Sequence, residues 1–158
     1  MRKTFIVVLT ALFLVPVLFG QSTGGAIQTA TVTLSSAQLL NLRGMPVQLV
    51  PAPGAGNVIK PLSLTLQYKF GSSPYAVQDG SFAIGTPAFV AAVQQPAVGF
   101  IDQASDQFAF LGGFGGAFGP RSSFENQPIT VMQNGSAEWT AGDGSVVISV
   151  TYTVVVLQ

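Results

Sequence analysis

Residues 146–157 constrain the fold of this chain most. Val146, Ile148, Val150, Tyr152, Val154 and Val156 alternate with Val147, Ser149, Thr151, Thr153 and Val155. A period of two sends successive side chains to opposite faces of an extended backbone, and β-branched residues favour that backbone. The end of the run is apolar on both faces, which suits either a central strand or a strand at an interface. Residues 57–70 carry a second alternation. Leu62, Leu64, Leu66, Tyr68 and Phe70 share one face, and Ser63, Thr65, Gln67 and Lys69 share the other, as in a half-buried strand. Pro61 lies near its start, where a missing N–H fits an edge or a bulge.

Shorter runs extend the pattern. Residues 29–34, 47–50 and 129–133 read as strands, and 77–84 and 97–102 as weaker ones. Residues 87–93 fit a strand or a helical turn, and 107–111 form a short apolar run. Ser35 or Ser36 can cap a short helical turn over 37–42, which Gly44 would end. Turn residues punctuate the chain at 51–56 (P-A-P-G-A-G), at 71–74, at Asn134-Gly135 as a hairpin-type turn, and at Gly142-Asp143-Gly144. About eight short strands with almost no helix predict an all-β chain, an antiparallel β-sandwich with a jelly-roll-like arrangement.

The first residues have a different character. Met1, Arg2 and Lys3 give a positive start, residues 4–19 are uncharged and mostly apolar, and Gly20 and Ser22 are small. This reads as a hydrophobic signal helix over residues 1–22, leaving one β-sandwich domain over 23–158. The rival reading is an uncleaved anchor, but the run falls short of the roughly 20 residues that span a bilayer, and Pro16 interrupts it. The expected location is secreted, cell-surface or periplasmic, with membrane contact only through an uncleaved N-terminal segment.

Composition narrows the chemistry. The chain has no His and no Cys, which removes a Ser-His-Asp triad, a cysteine nucleophile and imidazole or thiolate metal ligands. After the signal only Arg43, Lys60, Lys69 and Arg121 are cationic, too few and too scattered for a nucleic-acid surface. Charged residues make up 8% of the chain, against about 25% in ordinary soluble domains. Low charge means weak mutual repulsion, which favours homo-oligomers or docking on a larger protein assembly, or simply marks a low-charge extracellular protein.

The acids are Asp79, Asp102, Asp106, Glu125, Glu138 and Asp143. A glycosidase needs two facing carboxylates, and no spacing here marks a pair. Asp102 and Asp106 could donate oxygens to calcium, but D-x-x-x-D is too weak to define a site. They read as solvated loop acids. No catalytic residue, metal site or cofactor is expected, and the chain does not read as an enzyme. Trp139 is either a core residue or a platform for a sugar or lipid head group. The glycine-rich run 112–120 is either a loop presenting Phe114 and Phe118 to a partner or a connection whose phenylalanines fold back on the core. Phe114 and Phe118 are the candidate contact residues.

Two segments carry a resemblance. T-V-T-L-S-S-A-Q-L-L-N-L, then P-V-Q-L-V-P-A-P-G-A-G-N-V-I-K-P-L-S-L-T-L-Q-Y-K-F-G-S-S-P-Y-A, fill most of 31–76; N-Q-P-I begins at Asn126, and G-D-G-S at Gly142 leads to V-T-Y-T-V. Together these resemble small β-rich structural proteins of tailed phages and prophages. The resemblance implies a jelly-roll-like virion component, such as a capsid decoration or tail-associated protein, often oligomeric, with no catalytic residues. Asn57 departs from it, standing where such proteins often carry a basic residue. A signal peptide departs too, because virion proteins assemble in the cytoplasm. The expected function is a non-enzymatic, exported structural or surface-binding module. The alternatives are an extracellular carbohydrate-binding protein using Trp139, Tyr75 and the acids, which would expose Trp139 in a groove, and a pilus-like adhesive subunit, which would leave a sheet edge unpaired.

Overall fold

A computed structural model describes residues 25–112 and 118–158, so the expected signal segment lies outside the described residues. Eight strands follow in order: β1 (Gln28–Leu34), β2 (Val47–Val50), β3 (Asn57–Lys69), β4 (Ser81–Thr86), β5 (Phe89–Pro96), β6 (Gln107–Leu111), β7 (Ile129–Gln133) and β8 (Ser145–Val156). One sheet has the order β1-β8-β3-β6 and the other β2-β7-β4-β5, with every neighbouring pair antiparallel. Leu34, Leu64, Leu66, Tyr68, Ile148 and Val150 from the first sheet join Phe82, Ile84, Ile129 and Val131 from the second in one core.

The last strand is central. β8 pairs with β1 over Val146–Tyr152 and with β3 over Ser145–Val156, so both rows of its backbone groups are occupied up to Tyr152 and one row beyond it. Val146, Ile148 and Val150 are fully buried and the residues between them half-buried, whereas at the two-sided apolar end Val154 and Val155 are half-buried and Val156 is exposed.

In β3 the alternation changes phase. Its register against β8 shifts between Pro61 and Ser63. An extra residue in one strand moves the side chains beyond it to the other face. Ile59 is therefore buried before the bulge and Leu64 after it, while Leu62 is only half-buried.

The helical turn forms where the sequence places its cap. α1 spans Ser36–Leu39, and Ser35 and Gln38 make a reciprocal capping box, with the Ser35 N–H donating to Gln38 Oε1 at 3.0 Å. Residues 87–93, ambiguous in sequence, lie largely in β5.

Three expectations are corrected. Residues 97–102 form a turn, not a strand. The N–H groups of Phe100 and Ile101 both donate to the Ala97 carbonyl, and Ala97, Phe100 and Ile101 are buried. Their spacing is that of a helical turn, which a short apolar run conceals. The segment 77–84 enters a sheet only at Ser81, because Gly80 has φ +91° and turns the chain. Asn134-Gly135 is not a hairpin turn, since β7 and β8 lie in different sheets; Asn134 Oδ1 instead accepts the Ser81 N–H at 2.8 Å.

Candidate interaction surface

The outward face of the β1-β8-β3-β6 sheet is built from alternate residues of four strands. Register places Thr31, Ser149, Thr65 and Phe110 in one row, and Thr33, Val147, Gln67 and Phe108 in the next. Thr29, Thr151 and Ser63 form a third. No residue in these rows is ionisable. Hydroxyls pair across the strands, as between Thr31 Oγ1 and Ser149 Oγ at 3.0 Å. Lys60 and Lys69 stand at opposite ends of β3, and Lys69 is joined to Asp106 at 3.1 Å. The face ends on β6, where Phe108 is 60% and Phe110 70% exposed. In sequence, β6 is too short to declare a period, so these two residues were not singled out; the signal was F-x-F within an uncharged pentapeptide.

Of the expected contact residues, Phe118 is 87% exposed and Phe114 lies outside the described residues.

The aromatic residues that could have formed a sugar platform are in the core. Trp139 is 2% exposed, packs on Phe82 with ring centres 4.8 Å apart, and donates Nε1–H to the Asp79 carbonyl at 3.1 Å. Tyr75 is buried and donates its hydroxyl to the Gly144 carbonyl at 2.7 Å. Burial pushes the Tyr75 phenol well above its ordinary range, with the neighbouring Tyr68 adding to the effect.

The six acids are clamps rather than freely solvated groups. Each accepts a backbone N–H: Asp79 from Ser136, Asp102 from Gly99, Asp106 from Phe70, Glu125 from Gly56, Glu138 from Arg43 and Gly44, and Asp143 from Ser72 and Ser73. All but the Asp102 contact join segments distant in sequence. At the end holding the β2–β3 loop, the Asn126 side chain also accepts from the Gly54 N–H at 2.9 Å. The Arg121 guanidinium and then the Gly56 N–H hold the Glu125 carboxyl below its ordinary range. At the opposite end, the Ser72 hydroxyl and the Ser73 and Ser72 N–H groups do the same for Asp143.

Two of these contacts join segments that carry the resemblance, Gly54 with Asn126 and Ser72-Ser73 with Asp143. P-A-P-G-A-G meets Glu125 and Asn126, and G-S-S-P meets G-D-G-S. Close approach explains Gly71, Gly142 and Gly144, whereas Gly54 and Gly56 have open space and positive φ. Gly142 has φ +85°, and a Cβ there would lie 2.5 Å from the Tyr75 ring. Gly142→Ala is expected to destabilise the chain by about 3 kcal/mol, the upper end for a left-handed non-glycine residue, because ring overlap adds to the backbone strain. Chemical denaturation will measure the loss.

A cavity of about 690 Å³ opens near the β2–β3 loop, with Ile59, Pro61, Phe89, Phe124 and Ile129 among its walls. The Arg121 guanidinium at this cavity is engaged by Glu125 and by the Gln158 carbonyl.

No family model and no curated protein matches the chain. Among solved structures it is similar to a chain of the cyanophage Pam1 capsid asymmetric unit, at 16% identity and a TM-score of 0.48, over 90% of this chain and 93% of that one. It is also similar to a chain of mud crab tombus-like virus, at 10% identity and a TM-score of 0.26, over 99% of this chain and 94% of that one.

Proposed function

We propose that this chain is a non-enzymatic structural subunit of virion type, a jelly roll that works by assembling with like subunits or docking on a larger particle. The carrying observation is the uncharged outward face of the β1-β8-β3-β6 sheet, ending in exposed Phe108 and Phe110. Large exposed aromatics on an uncharged surface favour a partner. The jelly-roll reading is supported by the strand orders 1-8-3-6 and 2-7-4-5, in which the chain crosses between facing sheets at each connection except β4–β5. The clamping of the acids and the burial of Trp139 and Tyr75 weigh against the glycosidase and carbohydrate-binding readings. The side of β6 that has no strand partner among the described residues supports an adhesive, strand-accepting subunit as a second reading.

On this reading Phe114 and Phe118 belong to a second contact loop, and residues 1–22 direct export of a domain spanning 23–158. Sedimentation of the purified chain over a wide concentration range tests the assembly role. Species heavier than a monomer are expected, and a monomer at every concentration, with no docking on any particle of its source, overturns it. Mass analysis of the exported product tests the leader: a chain starting near Thr23 is expected, and an intact amino terminus in the membrane fraction overturns cleavage.

A further inference from the structure

We infer that β6 pairs with β6 of a second copy, antiparallel and centred on Ala109, joining two β1-β8-β3-β6 sheets into one continuous sheet. The inference rests on the assembly reading and names its partner and register.

Among the described residues β6 is bonded to β3 alone and ends the sheet. Proteins usually protect such an edge with charge, proline, a bulge or short length. The other edges carry such protection or lack apolar bait. β2 has four residues and a register shift, and β5 has a register shift and ends at Pro96. β1 points Thr29, Thr31 and Thr33 outward. β6 has the sequence Q-F-A-F-L, with no charge, no proline and an unbroken register against β3.

The pentapeptide is also self-complementary. Centring on Ala109 sets Phe108 opposite Phe110 of the second copy, and Phe110 opposite its Phe108. Directly opposed side chains on one face of a strand pair lie about 4.5–5.5 Å apart at Cβ, and aromatic pairs stabilise such contacts. Gln107 then faces Leu111, Ala109 faces Ala109, and Asp106 faces Gly112, so no charge meets a like charge. A shift by one residue would place Phe108 and Phe110 opposite side chains of the other face and lose the pairing.

Four phenylalanines exposed to this degree offer roughly 500 Å² for burial. That is below the ~1,200 Å² at which stable interfaces begin. The contact is therefore reversible and concentration-dependent, and suited to reinforcement by other contacts in an assembly.

The chain has no cysteine, so introduced thiols report cleanly. Full-length Phe108→Cys and Phe110→Cys proteins are oxidised separately and as an equal mixture. Each single variant keeps one aromatic pair in the mixed dimer. The mixture is expected to form the mixed disulfide at least ~10-fold faster than either variant forms its own, because only the mixed pair is directly opposed. Equal trapping in all three samples, or none, while the parent still assembles overturns the β6 register and leaves the assembly reading standing. A parent that stays monomeric and docks on nothing overturns both. As a second measurement, the doubly substituted Phe108→Lys, Phe110→Lys protein is expected to keep the parent's melting temperature and self-associate at least ~10-fold more weakly. Unchanged association in that folded variant also overturns the inference.

Discussion

Replacing Trp139 with alanine is expected to destabilise the chain by about 3–5 kcal/mol, the range for removing a large aromatic from a packed core. The ring fills the space beside Phe82, and its Nε1–H satisfies the Asp79 carbonyl where the chain turns before β4. Small domains are stable by only about 5–15 kcal/mol, so much of the population would be unfolded at mild denaturant concentration. Trp139→Phe, which keeps an apolar ring but removes the donor, should lose less. Urea or guanidinium titration followed by Tyr and Phe signals measures both. A loss below about 1 kcal/mol for the alanine variant would mean that the indole is not a core group and would reopen the sugar-platform reading.

Acid is expected to destabilise the fold by releasing its loop clamps together. Asp106 is held low by the Phe70 N–H and then by Lys69; Asp143 by the Ser72 hydroxyl and backbone N–H groups; Glu125 by Arg121 and then by the Gly56 N–H. A carboxyl whose value is depressed by folding binds fewer protons in the native state than in the unfolded one. Its stabilisation is complete above the ordinary values of 3.8 for Asp and 4.5 for Glu, and is lost as pH falls through the depressed folded values. Stability should therefore be level from neutrality to about pH 5 and fall steeply below pH 4. Melting temperature measured against pH checks this. Asp143→Asn, which keeps an acceptor but cannot lose charge, should flatten the acid limb. An acid limb of the same steepness in that variant would show that Asp143 does not contribute to it.

Much of the architecture was legible because it depends on local periodicity. The alternation at 146–157 and most of that at 57–70, the Ser35 cap and the P-A-P-G-A-G loop each express the backbone preference of a few neighbouring residues, and the structure places a strand, a capped turn and a loop there. Residues 97–102 form a turn rather than the expected strand because five apolar or small residues before Asp102 fit two periods equally well, and only the carbonyl of Ala97 receiving two N–H groups separates them. Pro61 was legible as marking an edge or a bulge, but not the phase change that leaves Leu62 half-buried, which depends on the register against β8.

The candidate surface was less legible than the fold. Low charge announced a chain suited to association but not where it associates. Phe108 and Phe110 became conspicuous only when β6 took the end of its sheet, because exposure of a strand residue depends on which strands flank it. The acids show the same division. Their types and loop positions were written in the chain, but each acts on a backbone N–H, usually far away in sequence, which no local pattern encodes.

What the sequence by itself determined, then, was extended backbone with alternating burial, the turns between runs, and the absence of imidazole and thiol chemistry, since these follow from side-chain type and from neighbours within a few positions. The tertiary structure alone decided that β8 is central, that Trp139 and Tyr75 are buried, and that β6, among the described residues, ends its sheet with two exposed phenylalanines. Each of those outcomes depends on strand order, and strand order depends on how two faces of hydrocarbon close over one another rather than on any single segment.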